Sequence, residues 1–280
     1  MIIDFHTHTF PEKIAAGALE KLRAASGTVS FTDGTDRNLV DSMKKAGIDL
    51  SVVLPVATNP AKVAHINEIA SSLDGKDGLI RFGCMHPDVS DIEGEIEHIA
   101  ALGLKGIKIH PVYQGIDIDD DKFVRILYAC GEAGLTVVTH AGLDIGFPGV
   151  VHCSPAMCRR ALSLAGPVKL VLAHMGGWRC WDEVAENVAD TSAFIDTSFS
   201  LGRLTPLPGD GRYSDDELQM MDGEEFTSLV RAVGAERVLF GTDSPWSDQK
   251  KSVGDVAALP LSDAEKEMIF SSNARGLLGL

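Results

Sequence analysis

Nine histidines are spread over the 280 residues, and several fall where a short apolar run stops. The first run, Ile2-Ile3-Asp4-Phe5, leads into His6-Thr7-His8. In an extended strand residues i and i+2 share a face. His6 and His8 are therefore expected to project together, on the face of Ile2 and Asp4. Two imidazoles held side by side offer a divalent cation a pair of borderline-soft nitrogens. An H-x-H pair alone is ambiguous, because structural histidines at strand ends are common. Other runs end the same way, however. Val137-Val138-Thr139 leads to His140, Val171-Leu172-Ala173 to His174, Lys108-Ile109 to His110, and Phe240-Gly241-Thr242 to Asp243. If all these tips meet at one mouth, metal-assisted chemistry explains the clustering better than packing does.

The elements that carry these residues keep a rhythm. Eight runs read as buried strands: Met1–His8, Leu50–Ala57, Leu79–His86, Gly106–Pro111, Thr136–Ala141, Lys169–Met175, Ala193–Phe199 and Val238–Ser244. Each is rich in Val, Ile, Leu and Phe, as strands covered on both faces are. Amphipathic stretches lie between them. Asp36 reads as one N-cap, Ser90-Asp91-Ile92-Glu93 as a capping box, and Asp119–Ala133 and Ser154–Ala165 as two further helices. Gly47, Gly103, Gly134 and Gly234 stand where helices would end. Eight strands alternating with helices point to a single-domain α/β (β/α)8 TIM barrel over residues 1–280, with its site at the carboxyl mouth of the strands. An open doubly wound sheet is the structural rival, but no G-x-G-x-x-G comes after the first strand. Residues 200–222, rich in Pro, Gly and acids, break the rhythm and are expected to form a loop over the site.

Composition removes several classes of function. There are 25 Lys+Arg against 40 Asp+Glu, a formal charge of −15, so a phosphate-backbone partner is disfavoured and no nucleic acid is expected. Five irregularly spaced cysteines suggest no disulfide framework. No apolar run is long enough to span a membrane, and the first residues lack a basic, cleavable leader. A cytoplasmic protein acting on a small molecule is the expectation, with a symmetric homodimer as the base-rate assembly.

The motifs Asp4-Phe5-His6-Thr7-His8, Thr139-His140-Ala141-Gly142, Ala173-His174-Met175-Gly176-Gly177 and Phe240-Gly241-Thr242-Asp243-Ser244-Pro245 resemble the amidohydrolase superfamily. Gly106–Pro111 and the tail Ser272–Leu280 fit the branch that includes aminocarboxymuconate semialdehyde decarboxylase and related metal-dependent hydrolases. The resemblance spans nearly the whole chain. It implies that His6, His8, His140 and Asp243 bind one divalent ion, Zn2+ being the expected metal, with His174 beside a metal-bound water that it orients or deprotonates. Asp243 would both hold the ion and move a proton.

Two positions depart from a simple transfer. Lys108, two residues before His110, is either a carbamate bridge to a second metal or an inward charge for packing or for a substrate anion. Glu12 could reach the metal from the first loop, although a solvated helix-start acid is the simpler reading. His110 and Trp246 are read as substrate-facing. Asp144, His152, Tyr113, Gln114 and Trp178 are weaker loop candidates, and Trp181 fits core packing at least as well. His65, His86 and His98 have no constellation around them.

The leading functional expectation is a metal-dependent hydrolase cleaving an amide, cyclic amide, ester or lactone. The alternative is non-oxidative decarboxylation of an aromatic or enamine acid. That reaction calls for a cation to seat the carboxylate, and Arg81, Arg179 and Arg203 lie near strand ends without singling themselves out. A metal-binding barrel without turnover is a third reading, disfavoured because structural zinc sites are usually Cys-rich and closed. A phosphoesterase is a fourth, and it lacks ligands after the second strand, where Leu54-Pro55-Val56-Ala57 stands.

Overall fold

In the computed structural model, which describes residues 1–280, every one of the eight apolar runs contains a strand. The strands are β1 (Ile3–Thr7), β2 (Leu50–Val53), β3 (Leu79–Arg81), β4 (Gly83–Cys84), β5 (Gly106–Ile109), β6 (Thr136–Thr139), β7 (Lys169–Leu172), β8 (Phe194–Asp196) and β9 (Val238–Leu239). Pairing is parallel throughout, in the order β1-β2-β3 and β4 through β9. β3 and β4 are halves of one barrel strand, interrupted at Phe82, whose N–H still donates to Val53 O at 3.1 Å. The ring closes between β9 and β1, where Phe5 N–H donates to Phe240 O at 2.7 Å and Asp243 N–H to His6 O at 2.8 Å. Eight strand positions therefore form a closed barrel, as the alternation implied.

Two apolar cores hold it. Ile3, Phe5, Val52, Leu54, Phe82, Val138, Val171 and Leu239 fill the interior, joined by Ala274, Leu277 and Leu278 of the last helix. A larger cluster lies between sheet and helices. The helices start where expected, but two caps move by one residue. Thr35 rather than Asp36 accepts from Asn38 N–H, and Asp91 rather than Ser90 accepts from Gly94 N–H. Asp36 is free to pair with Arg81 at 2.5 Å instead.

The alternation expected for the first strand is corrected. Ile3 and Phe5, not Ile2 and Asp4, point into the barrel. Asp4 ties strands together from the other side: its carboxylate accepts from Thr242 N–H and Oγ1–H and from Gln249 Nε2–H. The register against β2 slips between Asp4 and Thr7 by one residue. Such a bulge reverses the facing of the residues beyond it. It is how His6 and His8 reach the mouth although Phe5 is already inside.

Residues 200–222 also depart from expectation. None of them lines the central cavity. The segment folds back on itself through bridges Leu201–Met221 and Arg203–Gln219, and Leu204, Leu218 and Met220 pack behind Trp178. It is a buttress to the cavity wall rather than a cover.

Gly106 shows how tightly the barrel is closed. A Cβ there would lie 2.3 Å from Thr136 O and 2.4 Å from the Phe82 ring. Gly106→Ala is expected to cost about 1–3 kcal/mol by overpacking, read from urea unfolding, whereas Gly254→Ala, with open space, should not.

Candidate metal and active site

The strand tips converge as the sequence implied. His6, His8 and Asp243 present ligand atoms that all lie within 4.8 Å of one another. What makes the trio informative is where its protons are. His6 Nδ1 donates to Asp196 Oδ2 at 2.7 Å, and His8 Nδ1 donates to Leu54 O at 2.7 Å. These partners assign the tautomers and leave both Nε2 atoms with lone pairs. The two Nε2 atoms nevertheless face each other at 3.1 Å, and Asp243 Oδ1 lies 3.2 Å from His8 Nε2.

The same situation repeats next door. His140 Nε2 donates to Leu143 O at 3.0 Å, which leaves Nδ1 bare. Ser198 Oγ donates to Asp196 Oδ1 at 2.5 Å, so at 2.9 Å from His174 Nδ1 it accepts, which leaves His174 Nε2 bare. His140 Nδ1 and His174 Nε2 then meet at 3.1 Å with no proton between them. His140 does not fall within the tight trio; its contact is with His174, whose ring lies 5.2 Å from that of His6.

Acceptors in such contact need a proton or a cation. Protonation is opposed: burial first, and then neighbouring positive groups, hold His6 and His174 well below the ordinary imidazole value and His140 down to about 3. Lys108 Nζ reaches His6 Nε2 at 3.3 Å, but one ammonium cannot satisfy four facing nitrogens. Imidazole nitrogens plus one carboxylate are the donor set of a divalent transition ion, so these residues fit a metal.

A second trio, His110, His140 and Asp144, is chemically different. His110 Nδ1 accepts from Tyr113 N–H at 3.4 Å, which puts the proton on Nε2, 3.5 Å from Asp144 Oδ2. A protonated nitrogen cannot ligate, so this pair stands as a polar wall beside the site. Burial raises the Asp144 carboxyl to about 6.

The backbone at the tips is bent to its task. His174 and Asp243 have φ of 60° and 62°, a left-handed conformation that costs non-glycine residues energy and often marks functional positions. Val171 faces inward, so plain alternation would turn His174 outward; the left-handed turn brings it back.

A cavity of about 970 Å3 opens over these groups. His110 and Trp246 line it, as do Tyr113, Asp144, Trp178 and Lys108. Glu12 lies on its wall, exposed and outside the trio. Trp181 instead packs behind, donating Nε1–H to His174 O at 3.0 Å. His152 pairs with Asp117 and Gln114 with Ala57 O and Met85 O, both away from the cavity. His65, which the sequence leaves without a constellation, does line it. Of the three arginines only Arg81 borders the cavity; Arg179 is bound to Glu217 O and Gln219 O, and Arg203 to Asp215. Sequence reasoning missed Asp196 and Ser198, which orient His6 and His174, although Asp196 ends its apolar run just as Asp243 does.

Barrel and site together define a (β/α)8 protein of the amidohydrolase type with a candidate metal site at its mouth. The amidohydrolase family model matches residues 3–280, and the chain belongs to that family. No match was found among curated proteins. Among solved structures, 5-carboxyvanillate decarboxylase from Sphingomonas paucimobilis has TM-score 0.69 and 17% identity, covering 100% of this chain and 99% of its own. A 5-carboxyvanillate decarboxylase from Novosphingobium aromaticivorans, solved with bound manganese, has TM-score 0.69 and 15% identity, covering 100% and 97%. A putative 2-pyrone-4,6-dicarboxylic acid hydrolase from Pseudomonas putida has TM-score 0.65 and 17% identity, covering 99% and 97%. At these identities the likeness establishes the fold.

The geometry leads to two expected outcomes. In Asp196→Asn the amide NH2 would face His6 Nδ1 or displace the donors at Oδ1, either of which disturbs the tautomer that leaves Nε2 bare. Metal affinity should fall by about 10–100-fold in a metal titration, with the circular dichroism spectrum unchanged. For Asp144 the folded pKa lies above the ordinary carboxyl value of 3.8, at about 6. Ionisation therefore penalises the fold: the penalty is absent below pH 3.8, builds toward pH 6 and is constant above. In chelator-treated protein, Asp144→Asn should gain stability over the parent as pH rises through that window and match its pH dependence elsewhere.

Proposed function

We propose that this protein is a metal-dependent, non-oxidative decarboxylase of an aromatic or enamine carboxylic acid. The observation that carries the reading is Lys108. Decarboxylation calls for a cation to seat the carboxylate, and this lysine is buried inside the barrel, on the cavity wall, with Nζ 3.3 Å from His6 Nε2. Burial lowers its pKa to about 8, with Asp196 and Asp243 opposing the shift. The two solved decarboxylases of the same fold support this reading over hydrolysis.

His6, His8 and Asp243, with His140 adjoining, would hold the divalent ion. When bound, it supplies a Lewis acid that polarises a substrate oxygen next to the reacting carbon. Zinc suits the nitrogen donors, and manganese, present in one similar structure, suits the carboxylate. Lys108 orients the carboxylate. As the bond between ring carbon and carboxyl carbon breaks, its electron pair stays on the ring carbon, which takes a proton while carbon dioxide leaves. Asp243, whose Oδ1 lies 3.2 Å from His8 Nε2 at the same mouth, would carry that proton. His174, neutral and fixed by Ser198, shapes the other side.

Hydrolysis is the second reading, favoured by the hydrolase among the similar structures and by the presence of Asp243 and His174 on one cavity wall, where they could manage the protons of an attacking water. Incubation of manganese- or zinc-loaded protein with carboxyl-labelled hydroxybenzoates and, separately, with lactones and amides separates the two. Labelled carbon dioxide is expected, with kcat/KM about 100-fold lower in Lys108→Met at unchanged metal content, a loss of about 2.7 kcal/mol in transition-state binding. A new acid plus alcohol or amine, with no carbon dioxide, would establish hydrolysis instead.

A further inference from the structure

The cavity does not end at the metal trio. It continues past the first loop to a second wall formed by two helices, Glu12–Ser26 and Val63–Leu73. On the second helix Ile66, Ile69 and Leu73 line it, a spacing of three and four that puts all of them on one stripe. On the first helix Ile14 and Leu22 do the same at a spacing of eight. The sheet-facing positions of the second helix are other residues, Val63, Asn67 and Ala70. Ile66 also packs against the barrel core, whereas Ile69 and Leu73 lie outside it. Ile14 remains 56% exposed and Ile69 39% exposed. Large apolar side chains arranged in this way, rimmed by charge, mark a binding surface.

Size points the same way. Pockets of about 300–1,000 Å3 enclose drug-sized ligands, and at about 970 Å3 this one far exceeds what a single-ring acid would fill. We propose that the substrate is amphiphilic: its acid-bearing part lies over His6, His8 and Asp243, and an apolar extension, an alkyl chain or an alkyl-linked second ring, lies between Ile14 and Leu22 on one side and Ile66, Ile69 and Leu73 on the other. This inference deepens the proposed function, on which its acid-bearing end rests. The continuity of the stripe with the metal trio in one cavity selects a substrate arm over a second copy of the chain as the occupant.

The test is calorimetric binding of resorcinol, 4-ethylresorcinol and 4-hexylresorcinol to the manganese-loaded full chain. Affinity should rise by about threefold to fourfold for each methylene that enters the groove. In Ile69→Glu and Ile14→Glu, which are surface changes at rim positions, the gain from ethyl to hexyl should shrink at least about tenfold while resorcinol itself binds as before. Affinity independent of chain length, or a gain that both variants leave intact, would overturn the proposal. So would a parent that is dimeric while both variants are monomeric, since a second copy would then cover the groove. The two readings fail separately. Resorcinol binding without a chain-length gain removes the arm and leaves the proposed reaction standing; a chain-length gain in a protein that releases no carbon dioxide from any acid keeps the arm and removes the reaction.

Discussion

Four imidazole nitrogens that carry no proton are pressed together in pairs at 3.1 Å, and the whole mouth of the barrel is organised around that constraint. Lone pairs repel, and at His6, His140 and His174 burial opposes the obvious relief of protonation. The arrangement persists because every opposite ring nitrogen is pinned: by Asp196, by Leu54 O, by Leu143 O and by Ser198. These partners are as much part of the site as the ligands, since each one decides which nitrogen is left free. A cation is what turns the repulsion into binding.

The barrel supplies the pins, and its irregularities aim the rings. A regular first strand would send His6 outward, because Phe5 already fills the interior. The extra residue between Asp4 and Thr7 reverses the facing, and Asp4 anchors the displaced strand to Thr242 and Gln249. At the sixth and eighth barrel positions the left-handed turns at His174 and Asp243 do comparable work. Strain of this kind survives only where the surroundings over-determine it, here through strand closure on one side and buried hydrogen bonds on the other.

Much of this was legible in the sequence because strands covered on both faces leave long apolar runs, and a run that stops at a histidine is conspicuous. The barrel, the eight strand positions and the meeting of His6, His8 and Asp243 all come from that signal. The facing of the first strand did not, since a bulge leaves no mark in hydrophobic alternation. Asp196 and Ser198 were missed because a buried acid at a strand tip looks like a ligand or like nothing until its partner is seen. The role of residues 200–222 was misread for a related reason: polar, Pro- and Gly-rich composition shows a loop, while the packing of Leu204, Leu218 and Met220 behind Trp178 is tertiary. The choice between hydrolysis and decarboxylation turned on Lys108, whose inward direction the sequence suggested but whose distance from His6 only the fold supplies.

Anomalous diffraction from crystals soaked in manganese addresses the central claim most directly. The account predicts one strong peak per chain, in bonding contact with His6 Nε2, His8 Nε2 and an Asp243 oxygen. No peak there at saturating metal, or a peak held instead by His110 and Asp144, would contradict it.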